Sequence, residues 1–211
     1  KKYRRHIFLL HPNKVVIYDE LEANEKVRWD WLLHSPVKFD INPAASILTT
    51  VNKEKGFSSV VQLFCEQEAA ITQTDKYAAP PNHADAQRGE DFTDPWSLTA
   101  SFGPSRNNRI LTIIQVEADG RQAVQIMREG NTFRCGEWVI EAELNAKRPG
   151  RLYIRNSRNN AVFSYGDKKP EINGELYSCK EKDASVLFDC VNGEWTVQEM
   201  GDQRVQTMGK W

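Results

Sequence analysis

Apolar residues recur at every second position along most of this chain, and that alternation constrains the fold more than any other feature of the sequence. In the segment VRWDWLLH, from Val27 to His34, the odd-numbered residues are apolar and the even-numbered ones are mostly polar. Successive side chains of a β-strand point to opposite faces, so such a segment has a core face and a solvent face. No window longer than about ten residues carries the apolar stripe of an amphipathic helix. The sequence therefore predicts an all-β protein with little helix.

Alternating segments follow one another at short intervals, which is typical of antiparallel sheets. The first two, Arg5 to Leu10 and Val15 to Leu21, are predicted to form a hairpin around His11-Pro12-Asn13-Lys14. The last two are joined by Asn192-Gly193, a favoured hairpin dipeptide. We predict a large antiparallel, multilayered β-sandwich that spans residues 1–211 as a single domain. The other predicted strands are Val27 to His34, Ser46 to Thr50, Ser59 to Cys65, Ala70 to Thr74, Trp96 to Phe102, Arg109 to Glu117, Ala123 to Arg128, Thr132 to Cys135, Glu137 to Glu143, Arg151 to Arg155, Ala161 to Tyr165, Glu175 to Cys179, Ser185 to Cys190 and Glu194 to Glu199.

Charge and hydropathy limit the partners that the chain can have. Its 28 Lys and Arg residues are balanced by 29 Asp and Glu residues, which leaves a net charge of −1. No overall field therefore attracts nucleic acid or an anionic membrane. There is no run of about 18 apolar residues, so we predict no membrane-spanning segment. The chain begins at Lys1 without Met and enters a strand at once, so we expect the natural N-terminus, and any secretion signal, to lie upstream.

One long polar segment, Gln73 to Pro95, interrupts the alternation. Loops of this length are uncommon inside compact domains and are often functional. Because the β pattern is similar on both sides, we interpret it as an insertion within one sandwich. Within it, Asn82-His83-Ala84-Asp85 places an imidazole near a carboxylate, a pairing used in general base catalysis. No nucleophile or second ligand is nearby in sequence, so a solvated loop is the preferred interpretation.

The remaining reactive residues do not form a common enzyme motif. The four cysteines lack the CxxC spacing that structural zinc sites favour. A disulfide between Cys179 and Cys190, which flank a predicted hairpin, is an open alternative. His6 and His11 are five positions apart on one strand, face opposite ways, and are expected at the surface. The sequence contains no glycine-rich phosphate loop, nucleophile elbow or HExxH helix.

Some residue types suit an acidic sugar, since sugar rings stack on tryptophan and guanidinium groups bind oxyanions in a bidentate manner. Trp29, Trp31, Trp138 and Trp195 fall on the predicted core faces of strands, so we expect them to pack rather than to bind. Exposure of Trp96 would favour a carbohydrate-binding module. Several arginines could line a groove, although each is also explained as part of a solvated sheet face. These arginines are Arg4, Arg5, Arg106, Arg109, Arg151, Arg155 and Arg158.

His34 ends an aromatic strand on its polar face, and about the first 40 residues around it carry a recognisable pattern. An Arg-led strand from Arg5, a return strand reaching Asp19 and a strand closing in His34 follow one another. This pattern resembles the C-terminal β domain of heparinase II/III-like polysaccharide lyases. A lone histidine is more often structural than metal-bound. The resemblance implies a structural zinc at His34, with its co-ligands upstream of this fragment.

The resemblance also implies a two-part enzyme, in which an upstream α-helical toroid and this supersandwich-like β domain enclose the substrate cleft. Such enzymes cleave acidic polysaccharides of the heparin, heparan sulfate or alginate type by β-elimination, and a periplasmic or secreted location follows. The family's HxHxD motif and catalytic groups are not in this sequence. We therefore assign no catalytic residue and expect the isolated chain to be inactive.

Two other functions stay open, namely a non-catalytic carbohydrate-binding module and a purely structural domain. An apolar patch around Ile7, Leu9 and Val16 would mark a docking surface for an upstream domain. Such a patch would favour the lyase domain or the structural domain over the carbohydrate-binding module.

Overall fold

The computed structural model is built of antiparallel β-sheets and contains almost no helix. It describes residues 1–76, 95–118, 120–156, 161–167, 169–172, 175–179, 184–191 and 194–200. Within these ranges the one helical element is a 3₁₀ turn at Pro43–Ala45. The predicted fold class, an all-β antiparallel sandwich with little helix, is confirmed. The chain divides into two compact units, Lys1–Ala123 (unit 1) and Val124–Trp211 (unit 2), and the single domain across 1–211 stays a prediction.

Unit 1 forms one antiparallel sheet, with seven strands in its described residues. The strands are β1 (Lys2–Leu10), β2 (Lys14–Ser35), β3 (Asp40–Asn42), β4 (Ile47–Asn52), β5 (Phe57–Phe64), β6 (Ala69–Thr74) and β7 (Trp96–Ala118). Their order is β1-β2-β7-β5-β4-β3, and β6 pairs with the first part of β7. The predicted first hairpin is confirmed, since β1 and β2 pair from Lys2 opposite Glu22 to Leu10 opposite Lys14.

Two strands, β2 with 22 residues and β7 with 23, pair with each other along almost their full length. The sequence prediction divided each of them in two. It placed separate strands at Val15 to Leu21 and Val27 to His34, and again at Trp96 to Phe102 and Arg109 to Glu117. This division was wrong, because the polar residues between these segments stay in the sheet as a bulged region instead of leaving it as turns.

The bulged region shifts the register between β2 and β7 by an even number of residues. Glu22 lies opposite Asn107 before the bulge and Trp29 lies opposite Phe102 after it, so β2 advances seven residues while β7 retreats five. Because side chains alternate with period two, a net shift of two leaves each side chain on its original face. Leu21 before the bulge and Trp31 after it, both odd-numbered residues of β2, therefore belong to one buried cluster, together with the even-numbered Ile110 and Phe102 of β7.

The bulged region divides this sheet into two arms, one that contains β1, β4 and β5 and one that contains β6. One apolar core joins the two arms. Leu48, from the arm that contains β4 and β5, belongs to the same buried cluster as Leu98 and Phe102, which pair with the other arm's strands. Unit 1 is thus a sheet folded onto itself at the bulge, which produces the two layers of a sandwich. Gln73 fixes one end of this core. Its amide accepts a hydrogen bond from the Phe39 N–H at 3.0 Å and donates one to the Phe39 carbonyl at 2.8 Å.

Two carboxylates of the first hairpin, those of Asp19 and Glu20, are buried in ion pairs. Arg5 donates two hydrogen bonds to Asp19, from Nε to Oδ1 at 2.6 Å and from Nη2 to Oδ2 at 2.9 Å, and the Asp19 side chain is 1% exposed. Glu20 accepts a hydrogen bond from Arg109 Nη2 at 3.1 Å, and its other oxygen lies 2.9 Å from Lys2 Nζ. A buried charge needs such partners, so these pairs favour one register of β1, β2 and β7.

Unit 2 contains a second antiparallel sheet and a separate two-stranded hairpin. Its described strands are β8 (Met127–Glu129), β9 (Thr132–Cys135), β10 (Trp138–Ala142), β11 (Leu152–Asn156), β12 (Ala161–Tyr165), β13 (Glu171–Ile172), β14 (Glu175–Leu176), β15 (Ser185–Val191) and β16 (Glu194–Met200). The sheet runs in the order β16-β15-β12-β11-β10-β9-β8, and β13 pairs with β14. Two predicted strands are shorter than expected. Of the predicted strand Ala123 to Arg128 only β8 is observed, and of the predicted strand Glu175 to Cys179 only β14 is observed.

Truncation of Leu98 tests the shared core of unit 1. Leu98 is fully buried in that core, so Leu98→Ala is expected to destabilise the protein by about 2 to 5 kcal/mol through the cavity that it leaves. Leu32→Ala is the matched control, since Leu32 lies on the neighbouring strand but is 58% exposed, and a change below about 0.5 kcal/mol is expected. Denaturant unfolding measures both. Equal losses in the two variants would contradict the shared core.

Candidate functional site

His34 is exposed and is the second-last residue of β2, where it lies opposite Ser97 of β7. Its face of the strand also carries Asp30 and Leu32, which are exposed as well. Throughout the described part of the chain, no group of three or more His, Cys, Asp and Glu side chains is arranged to hold a metal ion. His34 offers a single accessible imidazole, so the zinc site implied by the resemblance requires co-ligands that the described residues do not supply. That zinc site stays a prediction.

The sequence predicted that His6 and His11 are exposed surface residues. His11 is exposed as predicted, whereas His6 is not. His6 is largely buried, and this burial, with the Arg4 charge, lowers its pKa to about 4 from the ordinary 6.5. Glu20 opposes the shift and Lys2 adds to it. The prediction was wrong because the exposure of a strand residue depends on what packs over its face, and the alternation pattern does not reveal this.

The lowered pKa of His6 makes stability depend on pH. The unfolded chain binds a proton near pH 6.5, whereas the folded chain resists protonation until about pH 4. The contribution of His6 to the free energy of unfolding is therefore fully present above pH 6.5. It is lost as the pH falls towards 4, and the total loss is about 3 kcal/mol. His6→Gln, which does not titrate, should remove this component. Urea unfolding of both proteins across that interval checks it, and equally steep losses would contradict it.

Three tryptophans pack inside the protein, as the sequence predicted. Trp31 and Trp138 are 4% and 8% exposed. Trp29 packs against the core of unit 1, and its indole N–H donates to the carbonyl and the hydroxyl of Ser105 at 3.2 and 3.0 Å. These three rings are therefore not platforms for a sugar. The side chain of Trp195 lies outside the described residues.

Trp96 also fails to offer a free aromatic face. Its ring is partly buried against the core of unit 1, and the ammonium group of Lys38 lies 5.1 Å from the ring centroid. A cation over an aromatic face occupies the surface on which a sugar would stack. The described tryptophans therefore give no support to a stacking platform for a carbohydrate-binding module.

The cysteines add no further site among the described residues. All four cysteines are free thiols, so a disulfide between Cys179 and Cys190 is not formed. Cys65 donates a hydrogen bond from Sγ to Asn108 Oδ1 at 3.1 Å, and burial raises the pKa of its thiol. The tetrad Asn82-His83-Ala84-Asp85 lies outside the described residues.

The predicted apolar patch is only partly present. Ile7 and Leu9 are 59% and 76% exposed on β1. Val16 is fully buried, because it pairs with Phe8 and so belongs to the opposite face of the hairpin. The prediction was therefore wrong for Val16.

The arginines that the sequence singled out lie in different surroundings. Arg5 and Arg109 are committed to the ion pairs of unit 1 described above, and Arg158 lies outside the described residues. Arg151 and Arg155, by contrast, line one cleft in unit 2. This cleft is our candidate functional site.

The cleft has a volume of about 420 Å³. We call its sheet side the floor, formed by Glu141 of β10 and by Arg151, Tyr153 and Arg155 at every second position along β11 and its leading edge. The residues between these three are buried, so the pleat of the strand directs all three to the cleft. The opposite side, which we call the wall, is the segment that contains Asp167, Lys169, Pro170, Glu171 and Leu176.

A close backbone approach joins the wall to the floor. Gly166 has a φ of +77°, and any side chain there would collide with the carbonyl oxygen of Gly150. The residues that follow these two glycines are Arg151 and Asp167, and they form an ion pair with 3.3 Å between Nη2 and Oδ2. Glycine at position 166 thus permits the contact that brings this charged pair together.

Tyr153 lies in the middle of the floor, partly buried and directly opposite Glu141. Burial raises the pKa of Tyr153 above 10.0. The guanidinium groups of Arg155 and Arg151 lower this pKa, while the carboxylates of Glu141 and Glu171 raise it further. The phenol therefore stays protonated near neutral pH and can donate a hydrogen bond to a ligand.

Arg155 is exposed and makes no ion pair with any residue that the structure describes. A guanidinium in this state can bind a carboxylate or sulfate bidentately. The neighbouring phenol donates a hydrogen bond, and the carboxylates of Glu141 and Glu171 accept hydrogen bonds from hydroxyl groups. The cleft can therefore bind a polar ligand that combines an acidic group with hydroxyls.

Sequence reasoning found two of the four residues that form the floor of this cleft. It identified Arg151 and Arg155 as candidates but did not identify Tyr153, although the every-second-residue spacing of these three was a usable signal. Glu141 could not be found in this way, because its place beside Tyr153 results from the pairing of β10 with β11.

Comparison with known proteins gives no match, either to a protein-family model or to a curated protein. The resemblance of the first strands to polysaccharide lyases therefore stays a prediction. In the described portion of the chain, no helix has the length and apolar character needed to cross a membrane.

Proposed function

We propose that this chain binds an acidic polysaccharide in the cleft of unit 2, as the β domain of a polysaccharide lyase. The observation that carries the proposal is Arg155, an exposed guanidinium without an ion-pair partner among the described residues, beside the partly buried Tyr153. A uronic acid carries a carboxylate on its ring, which the guanidinium fork can bind with two hydrogen bonds. The phenol supplies a further donor and an apolar ring face.

In this proposal the β domain forms one side of a larger substrate cleft between two domains, and an upstream α-helical toroid forms the other side. The reaction is a β-elimination on a uronate polysaccharide of the heparin, heparan sulfate or alginate type, in which a base removes the C5 proton and an acid protonates the leaving glycosidic oxygen. These catalytic groups belong to the upstream part, and the protein is periplasmic or secreted. Support comes from the strand pattern between Arg5 and Ser35.

A non-catalytic carbohydrate-binding module is the second candidate. It is favoured by the position of the cleft, which lies entirely in unit 2, whereas the lyase-like strand pattern lies in unit 1. Binding at the cleft needs no upstream domain. The two candidates therefore agree on saccharide binding and differ on whether the full-length protein cleaves its ligand.

Replacement of Arg155 tests the binding site. Arg155→Ala is expected to weaken the affinity of the 211-residue chain for an unsulfated uronate tetrasaccharide by about tenfold to a hundredfold, since hydrogen bonds to charged groups contribute roughly 1.5 to 3 kcal/mol. Arg106→Ala is the matched control, because Arg106 is an exposed arginine of β7 outside the cleft. Isothermal titration calorimetry measures both. Similar losses in the two variants would indicate unspecific charge attraction instead.

A turnover assay separates the two candidates. We expect the 211-residue chain to bind the tetrasaccharide without cleaving it, and the full-length protein to generate unsaturated uronate ends that absorb ultraviolet light. Binding without turnover by the full-length protein would favour the carbohydrate-binding module. Turnover by the isolated chain would contradict the placement of the catalytic groups upstream.

A further inference from the structure

The cleft carries as many acidic as basic side chains in its described lining. The basic ones are Arg151, Arg155 and Lys169, and the acidic ones are Glu141, Asp167 and Glu171. The net charge of the whole chain is −1, so the rest of the molecule adds no general attraction for a polyanion. A site for a heavily sulfated chain is expected to contain an excess of arginine and lysine, because each sulfate brings another negative charge.

Two of these six charges already neutralise each other. Arg151 pairs with Asp167 at 3.3 Å, and this pair links the floor to the wall next to the close approach of Gly150 and Gly166. That ion pair partly neutralises the charge of Arg151, whereas Arg155 makes no ion pair with any described residue. Among the described residues, Arg155 is therefore the cation of the floor whose charge is not already neutralised by an ion pair.

Two carboxylates, those of Glu141 and Glu171, act on Tyr153 beside the guanidinium groups of Arg155 and Arg151. Glu141 lies directly opposite Tyr153, with about 5 Å expected between their Cβ atoms, and Arg155 is two residues farther along the same strand, at about 6.6 Å. Glu171, from the wall, also acts on the Tyr153 phenol. A second anion placed next to the first would meet two carboxylates here, whereas a hydroxyl group would donate hydrogen bonds to them.

Building on the proposed function, we infer that this cleft selects a uronate chain of low charge density over a sulfated one. One carboxylate of the saccharide binds Arg155, and uncharged hydroxyls bind Glu141 and Glu171. Like-charge repulsion at these two carboxylates excludes sulfate groups from the positions beside Arg155. The selectivity therefore comes from the acidic residues and the affinity comes from the arginine.

Two oligosaccharides with one backbone test this selectivity. The probes are a heparin-derived tetrasaccharide and the same tetrasaccharide after complete desulfation and N-acetylation, titrated into the 211-residue chain at low and at physiological salt. We expect the desulfated form to bind at least about tenfold more tightly. Glu141→Gln, which keeps the shape and removes the charge, should narrow that ratio. Glu129→Gln is the matched control, because Glu129 is exposed on β8 of the same sheet and does not line the cleft.

The outcomes distinguish this inference from the function on which it rests. The inferred selectivity is wrong, but the binding site stands, under three conditions. Both forms bind, Arg155→Ala weakens the binding of both, and the sulfated form binds at least as tightly as the desulfated form. If neither form binds, the proposed function fails and the selectivity fails with it. An unchanged ratio in Glu141→Gln would overturn the role given to that carboxylate.

Discussion

The pairing of β2 with β7 is the interaction on which unit 1 depends. These two strands run through both layers of the folded sheet, with β1, β5 and β4 attached around one arm and β6 attached to the other. The apolar core between the two layers holds the bend in place. A buried ion pair crosses the same ladder, from Glu20 to Arg109. Removal of one partner of such a pair costs about 3 to 5 kcal/mol, because the other charge is then buried without compensation.

Much of the fold could be predicted because alternation is a property of consecutive residues. The strands Thr132–Cys135 and Ala161–Tyr165 match their predicted bounds at both ends. The errors arose where structure depends on distant residues. Residues 22–26 are mostly polar, as in a turn, yet β2 continues through them because the stretches on either side of them pair with β7. Local sequence contains no signal for that partner.

The candidate site shows the same limit, because arginines with similar sequence surroundings have different physical roles. Arg109 is 4% exposed and is neutralised by Glu20, which is 89 positions away in the chain. Arg155 is exposed on a strand that forms the floor of a cleft. A guanidinium held on a strand is better ordered before binding than one on a loop, so less entropy is lost when a ligand is bound. Long-range strand pairing decides between the two roles, and for that reason spacing alone could not assign them.

The even register shift between β2 and β7 limits the insertions and deletions that the gene can tolerate in this region. Loss of a single codon between Glu22 and Trp29 would move every later residue of β2 to the opposite face, so that Trp31 would point to water and Leu32 to the core side. Loss of two codons would leave both faces as they are. Among natural variants of this protein, length differences at the bulge are therefore expected to occur in pairs of residues.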